Sequence, residues 1–325
     1  MTKRVFILGG GAALGAHQVG AMKYLAEQGI TPDAFVASSI GVLNACCYGS
    51  GGIPRLEEAW REFRSIPRIV SPSFWQNPLL GLSFFSMDRL CGALEEFIDF
   101  PELFASPIEM EFVVLNLSRG CGEMHAKHGC ADWRELRTLT RAGYAIPGLF
   151  PPIHLRGDWY VDGGFAWNIP LERAIQMGAT EIYLLAPIAS QLPYQGRFGS
   201  MLDFVQRFTD VMWRTIGNMG YLYARMENGR LHDVPVTVIE PGEQYSGFGP
   251  LHVFNAYPSK NRALMDAGYR DAKRVMAARK RMEQQYATRT AEAAKKLIAE
   301  SPRPAAAAAG GKVVAIRPVE PSLND

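Results

Sequence analysis

Residues 35–48 read FVASSIGVLNACCY, and this stretch decides the fold. Its first three residues end an apolar strand, and its last seven open a helix. The four residues between them turn the chain sharply, with Ser39 at the tip. Small residues at Ala37 and Gly41 leave room for a tight turn, which lifts the Ser39 hydroxyl to the carboxyl edge of a sheet. The pattern predicts a nucleophile elbow, G-x-S-x-G with alanine as its first residue, although an ordinary small-residue turn has a similar composition.

A run of glycines follows the first predicted strand. Residues 4–15 read RVFILGGGAALG and lead into a helix, so the loop can present backbone N–H groups to an anion or an oxyanion. A dinucleotide-binding loop is the competing interpretation. It requires a third glycine where Leu14 stands, and an acidic residue where the elbow lies. An oxyanion hole facing Ser39 fits the sequence better.

A short strand delivers a carboxylate into a second glycine turn. Residues 159–164 read WYVDGG, so Asp162 precedes Gly163 and Gly164. Glycines there allow another element to approach the backbone closely. An Asp-Gly pair is also a common hairpin turn, and the motif alone does not separate the two interpretations.

Together and in this order, the three elements resemble the patatin-like phospholipases, a family of lipid acyl hydrolases. Residues 10–15 correspond to the family's oxyanion loop, Ser39 to its elbow serine and Asp162 to its D-G-[GA] aspartate. The resemblance covers about residues 4–190 and includes AIPGLFPP at 145–152. Two residues depart from the pattern: Ala37 replaces a glycine, and Leu14 replaces a frequent arginine or lysine.

The resemblance implies a catalytic Ser–Asp dyad without metal or cofactor. Ser39 is the expected nucleophile and Asp162 the base that takes its proton. The expected oxyanion hole consists of the backbone N–H groups of Gly10, Gly11 and Ala12. The glycines expected to support the motifs are Gly15, Gly41, Gly163 and Gly164. We interpret His17 and His154 as structural.

The expected function is that of a serine lipid acyl hydrolase, of phospholipase A or esterase type, acting through an acyl-serine intermediate. An acyltransferase that uses the same acyl-enzyme is one alternative, and a catalytically silent lipid-binding or scaffold protein is another. The expected partner is a lipid ester. Headgroup, chain length and positional preference depend on pocket shape, so the sequence makes no prediction for them or for the oligomeric state.

Composition agrees with a globular enzyme. The 325 residues are 48% hydrophobic and 20% charged, and a net charge of +2 gives no reason to expect a nucleic-acid partner. The five cysteines show no C-x-x-C spacing and are interpreted as reduced thiols. His125 and His128 lie near Cys121 and Cys130, but this spacing is a poor zinc site, and we expect no metal.

The N-terminus runs directly into a strand and lacks the apolar segment of a signal peptide. No apolar run has the length of a membrane span. We therefore expect a cytoplasmic protein that is able to contact a membrane peripherally.

Alternating strand and helix patterns predict an α/β fold, a three-layer α/β/α arrangement around a mainly parallel sheet. The predicted strands are 4–8, 34–37, 111–117, 159–162, 181–186 and 234–239. The predicted helices are 15–28, 41–49, 54–65, 87–98, 132–142, 170–177, 200–228 and 259–298. We expect one domain over residues 1–300 and a flexible Pro/Ala/Gly-rich tail over 301–325.

Three segments bear on membrane contact. Residues 74–85, FWQNPLLGLSFF, form either a lid or interfacial patch or an irregular core loop, and we predict membrane contact there through Phe74, Trp75, Leu79, Leu80, Phe84 and Phe85. An apolar stripe over residues 201–226 is interpreted as core-facing, with a lipid-binding surface as the alternative. The basic stretch at 273–281 is interpreted as a solvated helix face, with anionic headgroups as the alternative.

Overall fold

The fold is taken from a computed structural model, which describes residues 2–63, 95–191, 194–223, 226, 229–242 and 256–300. The chain divides into two units, Met1–Ala277 and Ala278–Asp325. The sheet and the candidate site belong to the first unit.

Nine strands of the described residues form one sheet. They are β1 (Arg4–Leu8), β2 (Ala34–Ala37), β3 (Glu109–Asn116), β4 (Cys121–Ala126), β5 (Ile153–Leu155), β6 (Asp158–Asp162), β7 (Glu181–Leu185), β8 (Arg230–Leu231) and β9 (Val234–Ile239). The order is β5-β6-β3-β2-β1-β7-β9-β8, with β4 also paired to β3. The central pairings, from β3 through β9, are parallel, and the pairings of β4, β5, β6 and β8 are antiparallel. The sheet is therefore mainly parallel at its centre, as predicted.

The helices connect the strands and cover the sheet. They are α1 (Ala16–Glu27), α2 (Ile40–Gly49), α3 (Gly52–Glu62), α4 (Phe100–Ala105), α5 (Trp133–Gly143), α6 (Leu171–Gln176), α7 (Met201–Tyr223) and α8 (Pro258–Glu300). Short 3₁₀ turns lie at Ala12–Gly15, Glu95–Phe97, Lys127–Gly129 and Gly163–Phe165. None of these helices, within the described ranges, is both long enough and apolar enough to cross a bilayer.

Alternate side chains of β1 enter two separate hydrophobic clusters. Phe6 and Leu8 pack in the cluster that includes α1, α2 and α5, whereas Val5 and Ile7 pack in the cluster that includes α6. A strand buried on both faces needs a continuous apolar run, which is what residues 5–8 provide. The sheet thus lies between two layers, which confirms the predicted α/β/α architecture.

Most predicted elements agree with the structure to within two or three residues. The strands β4, β5 and β8 and the helix α4 were not predicted. β4 (CGEMHA) is only partly buried and lacks a clean alternation of apolar and polar residues, and the others are too short for periodicity to register. Of the predicted helix 87–98, residues 95–97 form a 3₁₀ turn. Residues 87–94, the segment 74–85 and the predicted tail 301–325 lie outside the described residues.

The interpretation of the 201–226 stripe as core-facing was wrong. Of the seven stripe residues, Leu202, Val205, Phe208, Met212 and Met219 are exposed in α7, and Ile216 is half-buried. The opposite side of α7 packs inward instead. Arg214 on that side is buried and donates to the carbonyl oxygens of Ala189 and Gln191.

The basic stretch on α8 contains local ion pairs. Arg274 lies 3.0 Å from Asp271, and Arg279 lies 2.9 Å from Glu283. These pairs fit a solvated helix face.

Candidate active site

Ser39 occupies a strained turn between β2 and α2. Its φ of 52° and ψ of −128° are outside the regions that residues with a side chain prefer, and such strain is concentrated at functional sites. The turn is tight because the next element packs directly on β1. A side-chain carbon at Gly41 would lie 2.2 Å from the Leu8 carbonyl oxygen, so only glycine fits there. A strained turn between a strand and a helix thus lies at the position for which the sequence predicts a nucleophile elbow.

The register of the sheet brings Asp162 to this turn. β2 pairs with the first half of β3, ending at Ala37 opposite Phe112. β6 pairs with the second half, placing Asp162 opposite Val114. β4 pairs with residues of both halves, so β2 and β6 share the other edge of β3. Asp162 therefore arrives on that edge two residues beyond the end of β2, where Ser39 begins the turn.

The Ser39 side chain and the Asp162 carboxyl group lie side by side against Gly164. The Asp162 side chain is 1% exposed, and burial raises its pKa from 3.8 to about 6. Two donors oppose this rise, the Ser39 hydroxyl and the Gly164 N–H, which lies 2.8 Å from Asp162 Oδ1. The arrangement holds a desolvated carboxyl group against a serine hydroxyl at the end of a helix.

The glycines of the D-G-G turn allow this approach. At Gly163, the backbone packs against Val113 so closely that a side-chain carbon would lie 2.3 Å from it. At Gly164, the N–H is the donor that orients the Asp162 carboxylate. In the glycine-rich loop, Gly15 faces Ile40, the residue after the elbow serine. Gly15, Gly41 and Gly164 thus lie at contacts between the three motifs, whereas Gly163 lies against β3.

Asn168 joins the three motifs, and sequence reasoning missed it. Its Oδ1 accepts the Gly10 N–H at 2.6 Å and the Ser38 hydroxyl at 2.9 Å, and its carbonyl oxygen also accepts from Ser38 at 3.0 Å. Asn168 is buried, and burial of a primary amide requires partners. A polar residue in the short loop between the D-G-G turn and the next helix was the available signal.

The predicted oxyanion donors differ in their surroundings. The N–H of Gly10 donates to Asn168, so Gly10 supports the loop and does not point at a substrate oxygen. Within the described residues, no protein acceptor takes the N–H of Gly11 or Ala12. Ala12 has a positive φ of 46°, which fits a loop shaped to aim these groups. Leu14 is 6% exposed and packs in the core, so this position brings no cation to the site.

Two buried amides tie the glycine loop to the elbow helix. Gln18 donates to the carbonyl oxygens of Gly9 and Leu185 at 2.8 and 2.9 Å. Asn44 on α2 donates to Gln18 Oε1 at 2.7 Å and accepts the Trp60 indole N–H at 2.7 Å. A fully satisfied buried network of this kind fixes one relative position of its elements.

The histidines named from the sequence are engaged elsewhere. His17 is fully buried, with Nε2 3.1 Å from Asp271. His154 is exposed, and its ring lies 5.0 Å from that of Trp159. His125 contacts Glu123 at 2.8 Å, and the described residues contain no group of three or more histidine, cysteine or acidic residues arranged for a metal ion.

Sequence comparison relates this chain to known proteins. The patatin-like phospholipase family matches residues 6–175. Lysophospholipase nte1 of Aspergillus niger is 30% identical over 184 residues, 54% of this chain and 11% of that protein. The patatin-like phospholipase domain-containing protein ZK370.4 of Caenorhabditis elegans is 26% identical over 178 residues, 53% of this chain and 13% of that protein. The chain thus matches about a tenth of the length of these curated relatives.

Among solved structures, VipD from Legionella pneumophila has 13% identity and a TM-score of 0.44, and the match covers 86% of this chain and 67% of VipD. The type III effector protein ExoU has 11% identity and a TM-score of 0.41, with 86% of this chain and 53% of ExoU covered. The family match extends over more than half of the chain and contains the glycine loop, the elbow and the D-G-G turn. The chain belongs to the patatin-like phospholipase family.

Proposed function

We propose that the protein is a serine lipid acyl hydrolase that cleaves carboxylic ester bonds through an acyl-Ser39 intermediate. The observation that carries the proposal is the position of the strained Ser39 beside the buried Asp162 carboxyl group. A serine hydroxyl is a weak nucleophile until a base removes its proton, and the neighbouring Asp162 carboxylate is the proposed base.

In the first half of the proposed reaction, Ser39 Oγ attacks the ester carbonyl carbon while its proton passes to Asp162. The carbonyl oxygen becomes an oxyanion, which the N–H groups of Gly11 and Ala12 stabilise. When the carbon–oxygen bond to the alcohol breaks, Asp162 returns the proton to the leaving alkoxide. The products of this half are the free alcohol and the acyl-Ser39 ester.

In the second half, water takes the place of the alcohol. Asp162 accepts a proton from water as the water oxygen attacks the acyl carbonyl, and the same N–H groups hold the oxyanion. Collapse of this intermediate breaks the bond to Ser39 Oγ, which recovers its proton from Asp162. The acyl chain leaves as a free acid, and the dyad returns to its starting state.

The pKa of Asp162 suits this cycle. Near its value of about 6, the group is a carboxylate at neutral pH and still returns a proton readily. An unperturbed aspartate would be a weaker base, because its pKa lies further from the working pH. As substrate class we propose phospholipid or lysophospholipid esters, which the family and the relatives named lysophospholipase support.

Labelling with a fluorophosphonate, a probe that reacts with activated serines, tests the proposal. We expect labelling of the wild-type protein, with the adduct on Ser39 by mass spectrometry, and none of Ser39→Ala. Ser38→Ala is the matched control, since Ser38 is the adjacent serine and its hydroxyl faces Asn168. Hydrolysis of a short-chain ester should follow the labelling. An adduct on Ser38, or full ester hydrolysis by Ser39→Ala, would refute the proposed nucleophile.

A further inference from the structure

The helix α7 exposes apolar residues and buries polar ones, whereas a typical surface helix does the reverse. At about 100° per residue, the residues at 201, 205, 208, 212 and 219 lie within about 40° of one line along the helix. They are Met201, Val205, Phe208, Met212 and Met219, and their exposed fractions range from 39% to 77%. We call this the α7 apolar face.

The opposite line of α7 carries polar residues, and these point into the protein. Asp210 and Arg214 are each only 5% exposed. Arg214 donates to two carbonyl oxygens of the loop after β7, those of Ala189 and Gln191, and burial lowers the pKa of its guanidinium. A helix that buries its charges and exposes its apolar side gains no stability in water from the α7 apolar face. That face needs an apolar occupant.

The same helix reaches the candidate active site at its other end. A side-chain carbon at Gly220 would lie 2.2 Å from the Ile169 carbonyl oxygen, and one at Gly217 would lie 3.6 Å from Asn168 Nδ2. Asn168 in turn holds Gly10 and Ser38. From residue 201 to residue 219 the α7 apolar face extends about 27 Å, at 1.5 Å per residue. The C-terminal end of α7 therefore packs beside the candidate site, and the α7 apolar face runs along the outward side of the same helix.

The residues around the far end of the face suit a lipid–water interface. Phe198 and Phe204 pack edge to face with ring centroids 5.6 Å apart, and both are exposed. Tyr194 is 95% exposed and Arg197 is also exposed. Aromatic rings and arginine side chains are favoured at the interface between lipid headgroups and acyl chains. Neither acidic residue of α7, Asp203 or Asp210, is on the α7 apolar face.

We propose that the α7 apolar face is the surface by which the protein docks on a lipid layer, with the helix lying along the interface and the candidate site at its end. This proposal rests on the proposed function for the choice of occupant, since a lipid ester is the substrate to which that site would open. Docking there would hold the candidate site close to the lipid layer that carries the substrate ester.

Partitioning of the full-length Ser39→Ala protein onto phosphatidylcholine vesicles, with and without phosphatidylserine, tests the docking surface. No turnover is needed, so this result is independent of the proposed chemistry. In that background, Phe208→Gln/Met212→Gln replaces two exposed apolar side chains by polar ones with similar helix propensity. Phe208→Leu/Met212→Leu is the matched control, because it keeps both positions apolar.

We expect the glutamine pair to lower the partition coefficient by about tenfold or more, and the leucine pair to retain it. Circular dichroism and thermal unfolding establish that both pairs are folded. An unchanged partition coefficient of the glutamine pair would overturn the proposal. An equal fall in the partition coefficient of the leucine pair would also overturn it, because binding to a lipid layer depends on apolar surface and not on the exact shape of a side chain. A lipid-free dimer of the wild type that the glutamine pair converts to monomer would assign the face to a second copy instead.

With active enzyme, the same pairs separate docking from chemistry. The ratio of hydrolysis of vesicle lipid to hydrolysis of a soluble short-chain ester should fall about tenfold in the glutamine pair and remain near that of the wild type in the leucine pair. If the proposed function is wrong, the wild type will hydrolyse neither the vesicle lipid nor the soluble ester. The vesicle partitioning would still test the α7 apolar face.

Discussion

Asn168 Oδ1 accepts the backbone N–H of Gly10 at 2.6 Å, and this bond links the loop after β6 to the loop after β1. The two loops carry the groups proposed to act as base and as oxyanion hole. Because the same oxygen also accepts from Ser38, one amide fixes the glycine loop, the elbow and the D-G-G turn relative to one another. We infer that Asn168 is a positioning residue of the site.

Asn168→Ala should lower the rate of ester hydrolysis by about 10–100-fold, because a misplaced glycine loop loses its alignment with the developing oxyanion. The loss should appear mainly in kcat, since the alignment matters most in the transition state. Steady-state kinetics on a soluble ester measure it, with thermal unfolding as the check on folding. If the variant loses thermal stability but keeps the full kcat, Asn168 is a purely structural residue.

Asn168→Asp offers a second readout that a structural role would not move. The substituted carboxylate keeps an acceptor for the Gly10 N–H but adds a negative charge near Asp162, since both side chains lie beside Gly164. A like charge raises the pKa of a carboxyl group. The acidic limb of the pH–rate profile should therefore move above its wild-type position. A profile that keeps its wild-type limb would contradict this placement of the two side chains.

The wild-type pH profile follows from the raised pKa of Asp162. The base must be ionised, so kcat/KM should fall about tenfold per pH unit below pH about 6 and be level above it. His154→Ala, which changes an exposed imidazole, should keep the limb. Disappearance of the limb in a folded His17 variant would instead identify a histidine as the base.

Asp162→Asn separates catalysis from stability. Activity should fall about 10²–10⁴-fold, because the amide cannot accept the Ser39 proton. The stability of Asp162→Asn at neutral pH should instead rise. The native Asp162 binds its proton more tightly than the unfolded one, so the free energy of unfolding falls as pH rises from about 4 to about 6.

Above that window the ionised aspartate costs about 3 kcal/mol, from roughly two pKa units at 1.36 kcal/mol each. Asparagine avoids this cost and still accepts the Gly164 N–H. Chemical denaturation should therefore show Asp162→Asn to be more stable than the wild type at pH 7, and equal to it below pH about 4. A variant less stable than the wild type at pH 7 would contradict the assigned pKa.

The sequence predicted the parts of the site that depend on local chain geometry. The strained turn at Ser39 and the turn after Asp162 each follow from a few adjacent residues, because small residues and glycines allow backbone conformations that larger residues exclude. The six predicted strands all occur in the structure for the same reason, since apolar periodicity is local.

Contacts across the fold could not be predicted. Asn168 is one polar residue in a short loop, and its role exists only because β6 ends beside β2 on the edge of β3. The Gly10 N–H was predicted to bind the oxyanion, because its hydrogen bond to Asn168 could not be seen in the sequence. The orientation of α7 was also beyond the sequence, because an apolar stripe has the same spacing whether it faces a core or solvent.

The shared edge of β3 makes the distance between Ser39 and Asp162 a matter of strand register. A slip of β6 by one residue would turn Asp162 to the other face of the sheet, and a slip by two would carry it about 7 Å along β3. The Leu117 N–H donates to the Trp159 carbonyl oxygen at 2.8 Å, and this bond continues the β3–β6 pairing and helps to hold that register. The bond from Asn116 to Asp158 at 3.0 Å reinforces it. Insertion of a single residue within β6, between Trp159 and Asp162, would therefore separate the proposed nucleophile from the proposed base while leaving every side chain of the site intact.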